Sequence, residues 1–232
     1  MSTNSVTELN PCEWSFAGRQ RTMLYEWFST LFAREVSDEM LNALVAGETE
    51  SILGGLADLG LRPEVERLKR SVAIIKEAAL ARLELAADFA QLFLLDGKTG
   101  ALPYASVYEP ANEGASLYAE PEARMKDFLA SCALAIQSDF REPADHLSVY
   151  LALMARLAGQ DADSNNIAAA ALDQATFIHT GLLNWLPLFV QRCQQATPQF
   201  DFYPALAVLL LGFVQEDEKF LGDIAQNGEL PV

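Results

Sequence analysis

Few residues in this chain are of types that could do chemistry. They are three cysteines (Cys12, Cys132 and Cys193), two histidines (His146 and His179) and a Gly97-Lys98-Thr99 triplet. A zinc or iron site needs closely spaced cysteine and histidine. Here the cysteines are widely separated and no His-Glu-x-x-His run occurs. A four-helix di-iron site needs paired Glu-x-x-His motifs, whereas Glu142 precedes His146 with Pro143 between them and no second pair exists. No metal is expected. Gly97-Lys98-Thr99 resembles the end of a phosphate-binding loop, but the first glycine of that motif would fall at Leu92, and no strand precedes it. A polar turn is the plainer reading. A weak nucleotide site of another kind stays open, giving an alternative function as a nucleotide-binding or nucleotide-hydrolysing helical protein, with no cofactor held tightly. There is no Gly-x-Ser-x-Gly elbow. Asp145-His146 invites an acid–base dyad, but adjacent residues on a helix do not face each other. The chain is not expected to be an enzyme.

Glu142-Pro143-Ala144-Asp145-His146 has a second reading. Proline is well placed in the first turn of a helix. A helix starting at Pro143 puts Asp145 in that turn, where its carboxylate favours the free amides and the helix dipole. A helix-start device at a bend and a cluster of carboxylates able to pair with arginine are both compatible with these residues.

The elements that must position these residues read as helices. Leu24, Trp27, Phe28 and Leu31 make one apolar stripe. Ser37-Asp38-Glu39 opens a short helix that should stop near Gly47, and the Gly54-Gly55 pair should break the next. Pro63 starts a long helix whose stripe of Val65, Leu68, Val72, Ile75 and Ala79 runs on through Leu83, Phe89 and Phe93. Asp96 to Glu113 is an ordered loop, of a length that is usually functional when it is ordered. Helix resumes near Pro121, with Met125, Phe128, Leu129, Cys132 and Ile136 as its buried face. Proline disfavours helix at the preceding residue, so the chain breaks over Ser138 to Pro143. Helices then cover Pro143 to Ala158, Ile167 to His179, Leu182 to Gln194 (bent at Pro187) and Phe202 to Leu221, with a frayed tail after Gly222. The fold expected is all-α: roughly ten helices, an N-terminal part (1–138), a hinge (139–143) and a C-terminal part (144–232). Helices could be exchanged across such a break between two copies, so the chain is expected to be a monomer or a homodimer, with a domain-swapped dimer as one form.

The 232 residues are 51% hydrophobic, enough for a sizeable core, and 16 basic against 32 acidic residues give a net charge of −16. Such a chain repels nucleic-acid phosphates, which bind through clustered lysine and arginine, and also anionic membrane surfaces. It attracts a basic partner segment. An odd, scattered set of cysteines fits a reducing cytosol. Met1 to Pro11 lacks the pattern of a signal peptide, and Phe202 to Val214 is too short to span a bilayer. A cytoplasmic protein is expected.

Glu142-Pro143-Ala144-Asp145-His146-Leu147, followed by Met154, resembles the Glu-Pro-x-Asp-His signature of the TorD/DmsD/NarJ family of redox-enzyme maturation chaperones. Pro103-Tyr104-x-Ser106-Val107-Tyr108 is similar to that family's proline-aromatic-Ser-Val-Tyr segment, although Glu109-Pro110 follows where many relatives have leucine. The run from Leu85 to Leu94, including Asp88, Phe89, Leu92 and Phe93, resembles the TorD branch in particular. So does His179 with Trp185, Leu186, Pro187 and Phe189. The resemblance covers about residues 14–220.

The resemblance implies an all-helical chaperone that binds a molybdenum-containing enzyme and its twin-arginine signal peptide, holding both until the molybdopterin cofactor is inserted. In the TorD branch the client is trimethylamine N-oxide reductase. The residues expected to meet client or peptide are Asp88, Phe89, Tyr104, Ser106, Tyr108, Glu142, Pro143, Asp145 and His146. Asp88, Glu142 and Asp145 could pair with arginine. Tyr104, Tyr108, Phe89 and Trp27 could form apolar walls; Trp27 and Phe89, on helical stripes, read rather as core, whereas Tyr104 and Tyr108, in the loop, could equally be either. His146 could sense pH or bond a peptide carbonyl, or tie down the bend. His179 reads as a helix-packing residue. A helical scaffold without a client is the remaining reading, against which the aromatic loop argues.

Overall fold

The computed structural model describes residues 9–95, 100–109, 119–132, 134–136, 140–162 and 166–227. Among them are ten α-helices and no strand: α1 (Pro11–Ala33), α2 (Asp38–Ala46), α3 (Glu50–Leu56), α4 (Arg62–Glu77), α5 (Ala81–Phe89), α6 (Ala119–Ser131), α7 (Leu147–Ala158), α8 (Ile167–Phe177), α9 (Leu186–Gln195) and α10 (Phe202–Asn227). The all-α expectation is met. No helix among the described residues is long and apolar enough to cross a membrane. The Gly97-Lys98-Thr99 triplet, both ends of the 96–113 loop and part of the expected hinge lie outside the described residues.

Local chemistry fixes several ends. The Asn10 side chain accepts the Glu13 N–H at 3.0 Å while Glu13 accepts the Asn10 N–H at 2.9 Å, a reciprocal cap for α1 with Pro11 in its first turn. Ser37 caps α2, and Gly47 ends it at φ 81°, a left-handed conformation that suits glycine.

Other boundaries differ from expectation. α3 runs through Gly54-Gly55, because buried Leu53 and Leu56 anchor it and glycine tolerates helical angles at modest cost. The break comes at Gly60 (φ 94°), where a positive φ is required. The single long helix from Pro63 is two: the chain turns at residues 78–80, leaving Leu83 exposed and folding α5 back so that Leu85, Phe89 and then Phe93 are buried. α6 ends at Ser131, so Cys132 and Ile136 lie beyond it, half-buried. Pro187 does not bend a helix but sits in the first turn of α9, after a π-type turn at 178–182 has closed α8. α10 extends past Gly222 to Asn227, because Leu221 and Ala225 are still buried.

α1 packs along α7, and α10 packs on α4, α8 and α9. Gly18 permits the first contact, since a Cβ there would lie 2.4 Å from the Ala158 carbonyl oxygen. A polar network sits in the core. Asp217 on α10 accepts from Arg21 Nε at 2.6 Å and Nη2 at 3.0 Å and from the Tyr25 hydroxyl at 2.6 Å, while Arg21 also donates to Gln174 Oε1 at 2.8 Å. These four side chains are buried and join α1, α8 and α10.

Candidate functional site

α7 does not start at Pro143. Residues 143–146 are drawn into a short antiparallel bridge, Tyr104 opposite His146. The Leu147 N–H donates to the Pro103 carbonyl at 2.8 Å, and the Ala105 N–H donates to the Asp145 carbonyl at 3.0 Å. Backbone pairing of this kind holds Asp145 out of the helix, so it is not the first-turn carboxylate expected. Instead Asp145 Oδ2 accepts the Ser106 N–H at 3.1 Å. Asp145 and Ser106 are both buried, so this bond ties the two loops together beneath the surface. No bond joins Asp145 to His146 as an acid–base dyad.

His146 is the N-cap of α7. Its Nδ1 accepts the Ser148 N–H at 3.1 Å and lies 2.7 Å from Ser148 Oγ. The ring is 4% exposed, and Tyr104 and Phe140 stand edge-on to it with centroids 5.1 and 5.6 Å away. Burial pushes its pKa down to about 4, since a charged imidazole is disfavoured away from water. It is neutral near pH 7 and does not act as a physiological pH sensor by itself. Tyr104, half-buried, donates its hydroxyl to Glu142 Oε2 at 2.6 Å. Burial, then the Glu142 carboxylate, raise the Tyr104 pKa, which keeps it a donor.

Tyr104, Ser106, Glu142, Pro143, Asp145 and His146 therefore come together in one clip between two loops. Tyr108 lies to one side, stacked on Trp185 at 5.9 Å, edge-on to Phe189 at 6.2 Å and under the Arg192 guanidinium at 5.6 Å. Asp88 and Phe89 belong to the core rather than to the clip. Asp88, 2% exposed, accepts the Gln199 N–H on Oδ1 at 2.6 Å and the Phe200 N–H on Oδ2 at 2.8 Å. Burial raises its pKa and the two N–H groups oppose that rise. Phe89 is buried edge-on to Phe93 and Tyr203. Trp27 packs on Phe28 at the margin of the core. His179 is not a packing residue: it is exposed and pairs with Glu218 at 2.7 Å.

Two members of the clip escape a reading by motif, Phe140 and Ser148. Ser148 had a signal, since a side chain capping a helix bonds the N–H two or three residues on. Among the described residues no group of three or more His, Cys, Asp or Glu could hold a metal ion.

The family model described as nitrate reductase delta subunit matches residues 57–191, the span that holds the whole clip. Chaperone protein TorD of Psychrobacter sp. (strain PRwf-1) is 41% identical over 220 residues, covering 94% of this chain and 98% of the relative. That of Vibrio cholerae serotype O1 (strain M66-2) is 36% identical over 219 residues, covering 93% and 98%. That of Photobacterium profundum is 39% identical over 209 residues, covering 87% and 94%. The likeness runs through both loops of the clip and the helices that carry them. This chain thus belongs to the TorD chaperone family, and its role is redox-enzyme maturation, not catalysis.

Proposed function

We propose that this chaperone works in the cytoplasm on a molybdenum-containing reductase of the trimethylamine N-oxide reductase type. It binds that enzyme and its twin-arginine signal peptide, and delays export until the molybdopterin cofactor is in place. The observation that carries the peptide part is the surface of the clip. A carboxylate, Glu142, is fixed by a tyrosine hydroxyl beside an edge-on aromatic and imidazole group, on a chain of net charge −16. A segment with paired arginines followed by apolar residues complements both features. In this reading Glu142, Tyr104, His146 and Tyr108 meet the peptide. Asp145, Ser106 and Pro143 hold the clip in shape, while Asp88 and Phe89 hold the core beneath it.

Calorimetric titration with the reductase's signal peptide, and with a version whose two arginines are lysines, tests this. Saturable binding is expected, weakened by the lysine version, by added salt and by Glu142→Gln. Equal affinity for both peptides, or none for either while the reductase still copurifies, would refute the peptide part of the reading.

A further inference from the structure

We propose that Ser148 is a positioning residue: it holds His146 as the tautomer with its proton on Nε2, and that N–H is the donor for a backbone carbonyl of the bound signal peptide. The inference rests on the peptide-binding reading above and adds the state and direction of one contact.

A backbone N–H can only donate. The Ser148 N–H points at His146 Nδ1 from 3.1 Å, so Nδ1 offers a lone pair there and carries no proton. The Ser148 hydroxyl, 2.7 Å from the same nitrogen, donates to it as well. The ring proton is then on Nε2. Among the described residues Nε2 meets no hydrogen-bond partner, although the residue is 4% exposed. The fully buried side-chain atoms without a partner among the described residues are the Tyr108 and Tyr203 hydroxyls and not Nε2, so the Nε2–H is placed to meet an incoming carbonyl.

The surroundings fix where that donor points. Tyr104 and Phe140 meet the ring edge-on from two sides. Ser148 is itself anchored, because its carbonyl accepts the Ser29 hydroxyl of α1 at 2.9 Å. The tautomer is therefore set from α1 through α7 to the clip. Neutrality suits the partner: an imidazolium would repel arginines drawn to Glu142, whereas a neutral N–H takes a carbonyl without opposing them. The Tyr104 hydroxyl is spent on Glu142 Oε2, which leaves His146 as the ring donor at this place.

The test uses the full chain with 15N-labelled histidine. With two histidines in the sequence, a His179→Gln variant assigns both. At neutral pH the long-range nitrogen–proton correlations of His146 should show the Nε2–H tautomer. Ser148→Ala keeps the backbone N–H facing Nδ1 but loses the shorter hydroxyl bond, so part of the population should shift to Nδ1–H and Ser148→Thr should restore the parent. An unshifted tautomer in Ser148→Ala gives the role to the backbone amide and overturns the part assigned to the side chain. Binding of the twin-arginine peptide should weaken about three- to tenfold in Ser148→Ala, the loss of one net hydrogen bond. His146→Asn separates cap from donor: asparagine is among the best N-caps, so thermal unfolding should stay near that of the parent while affinity falls by about tenfold or more. An Nδ1–H tautomer in the parent, or full affinity in His146→Asn, overturns the inference. A parent protein that binds no peptide instead overturns the function on which the donor role rests, and the tautomer measured on the free protein still decides what Ser148 does.

Discussion

Asp88→Ala should destabilise this chain without touching any partner. Both carboxylate oxygens are engaged, Oδ1 by the Gln199 N–H and Oδ2 by the Phe200 N–H, just before α10 begins at Phe202. Alanine orphans both amides. Hydrogen bonds to a charged group contribute about 1.5–3 kcal/mol each. The Gln199 amide is partly solvated and water replaces part of its bond, whereas the Phe200 amide is buried. Burial of the carboxylate, which raises its pKa, offsets some of the gain. The net loss should be about 2–4 kcal/mol, and for a domain of this size each kcal/mol shifts the midpoint by about 2–4 °C, so thermal unfolding should fall by roughly 4–16 °C. Asp88→Asn keeps one acceptor and turns an NH2 toward the other amide, so it should lie between. Urea and thermal unfolding followed by circular dichroism, with peptide titration below the midpoint, separate stability from binding. A stable Asp88→Ala variant that has lost peptide affinity would refute the reasoning, because it would make Asp88 a contact and not a latch.

The buried pair of Arg21 and Asp217 behaves differently. Asp217→Ala leaves a guanidinium that is 7% exposed without its carboxylate and should cost about 3–5 kcal/mol, while joint replacement of both by apolar residues should recover most of that loss; urea midpoints showing additive losses would count against it. His146 makes the fold acid-labile. Its folded pKa, about 4, lies below the ordinary 6.5, so the unfolded chain binds the proton first. Its share of stability is full above pH 6.5 and is lost as pH falls toward 4, by about 3 kcal/mol in total. His146→Asn should therefore show a smaller drop in urea midpoint between neutral and acid pH than the parent, and equal drops would contradict the assignment.

The candidate site was half legible in the sequence. Glu142-Pro143-x-Asp145-His146 and Pro103 to Tyr108 stood out as two clusters, and they do meet. What each side chain does there could not be read from spacing. Asp145 looked like a helix-start carboxylate, but Ala105 and Ser106 claim its carbonyl and carboxylate. Helix α7 then starts at Leu147, and His146 becomes the cap. Asp88 looked available to arginine until residues more than a hundred positions along the chain supplied its two donors.

Sequence alone determined the helical class, the caps at Ser37 and Gly47, the acidic balance that suits a basic partner, and the two clusters that form the clip. These depend on composition and on neighbours within a turn or two, where propensity, capping and periodicity act. Tertiary structure alone decided that Gly54-Gly55 stays helical, that α4 and α5 part at residues 78–80, and that Arg21 meets Asp217. Each depends on which distant surface the chain buries. Burial makes an unpartnered polar group costly enough to override local preference.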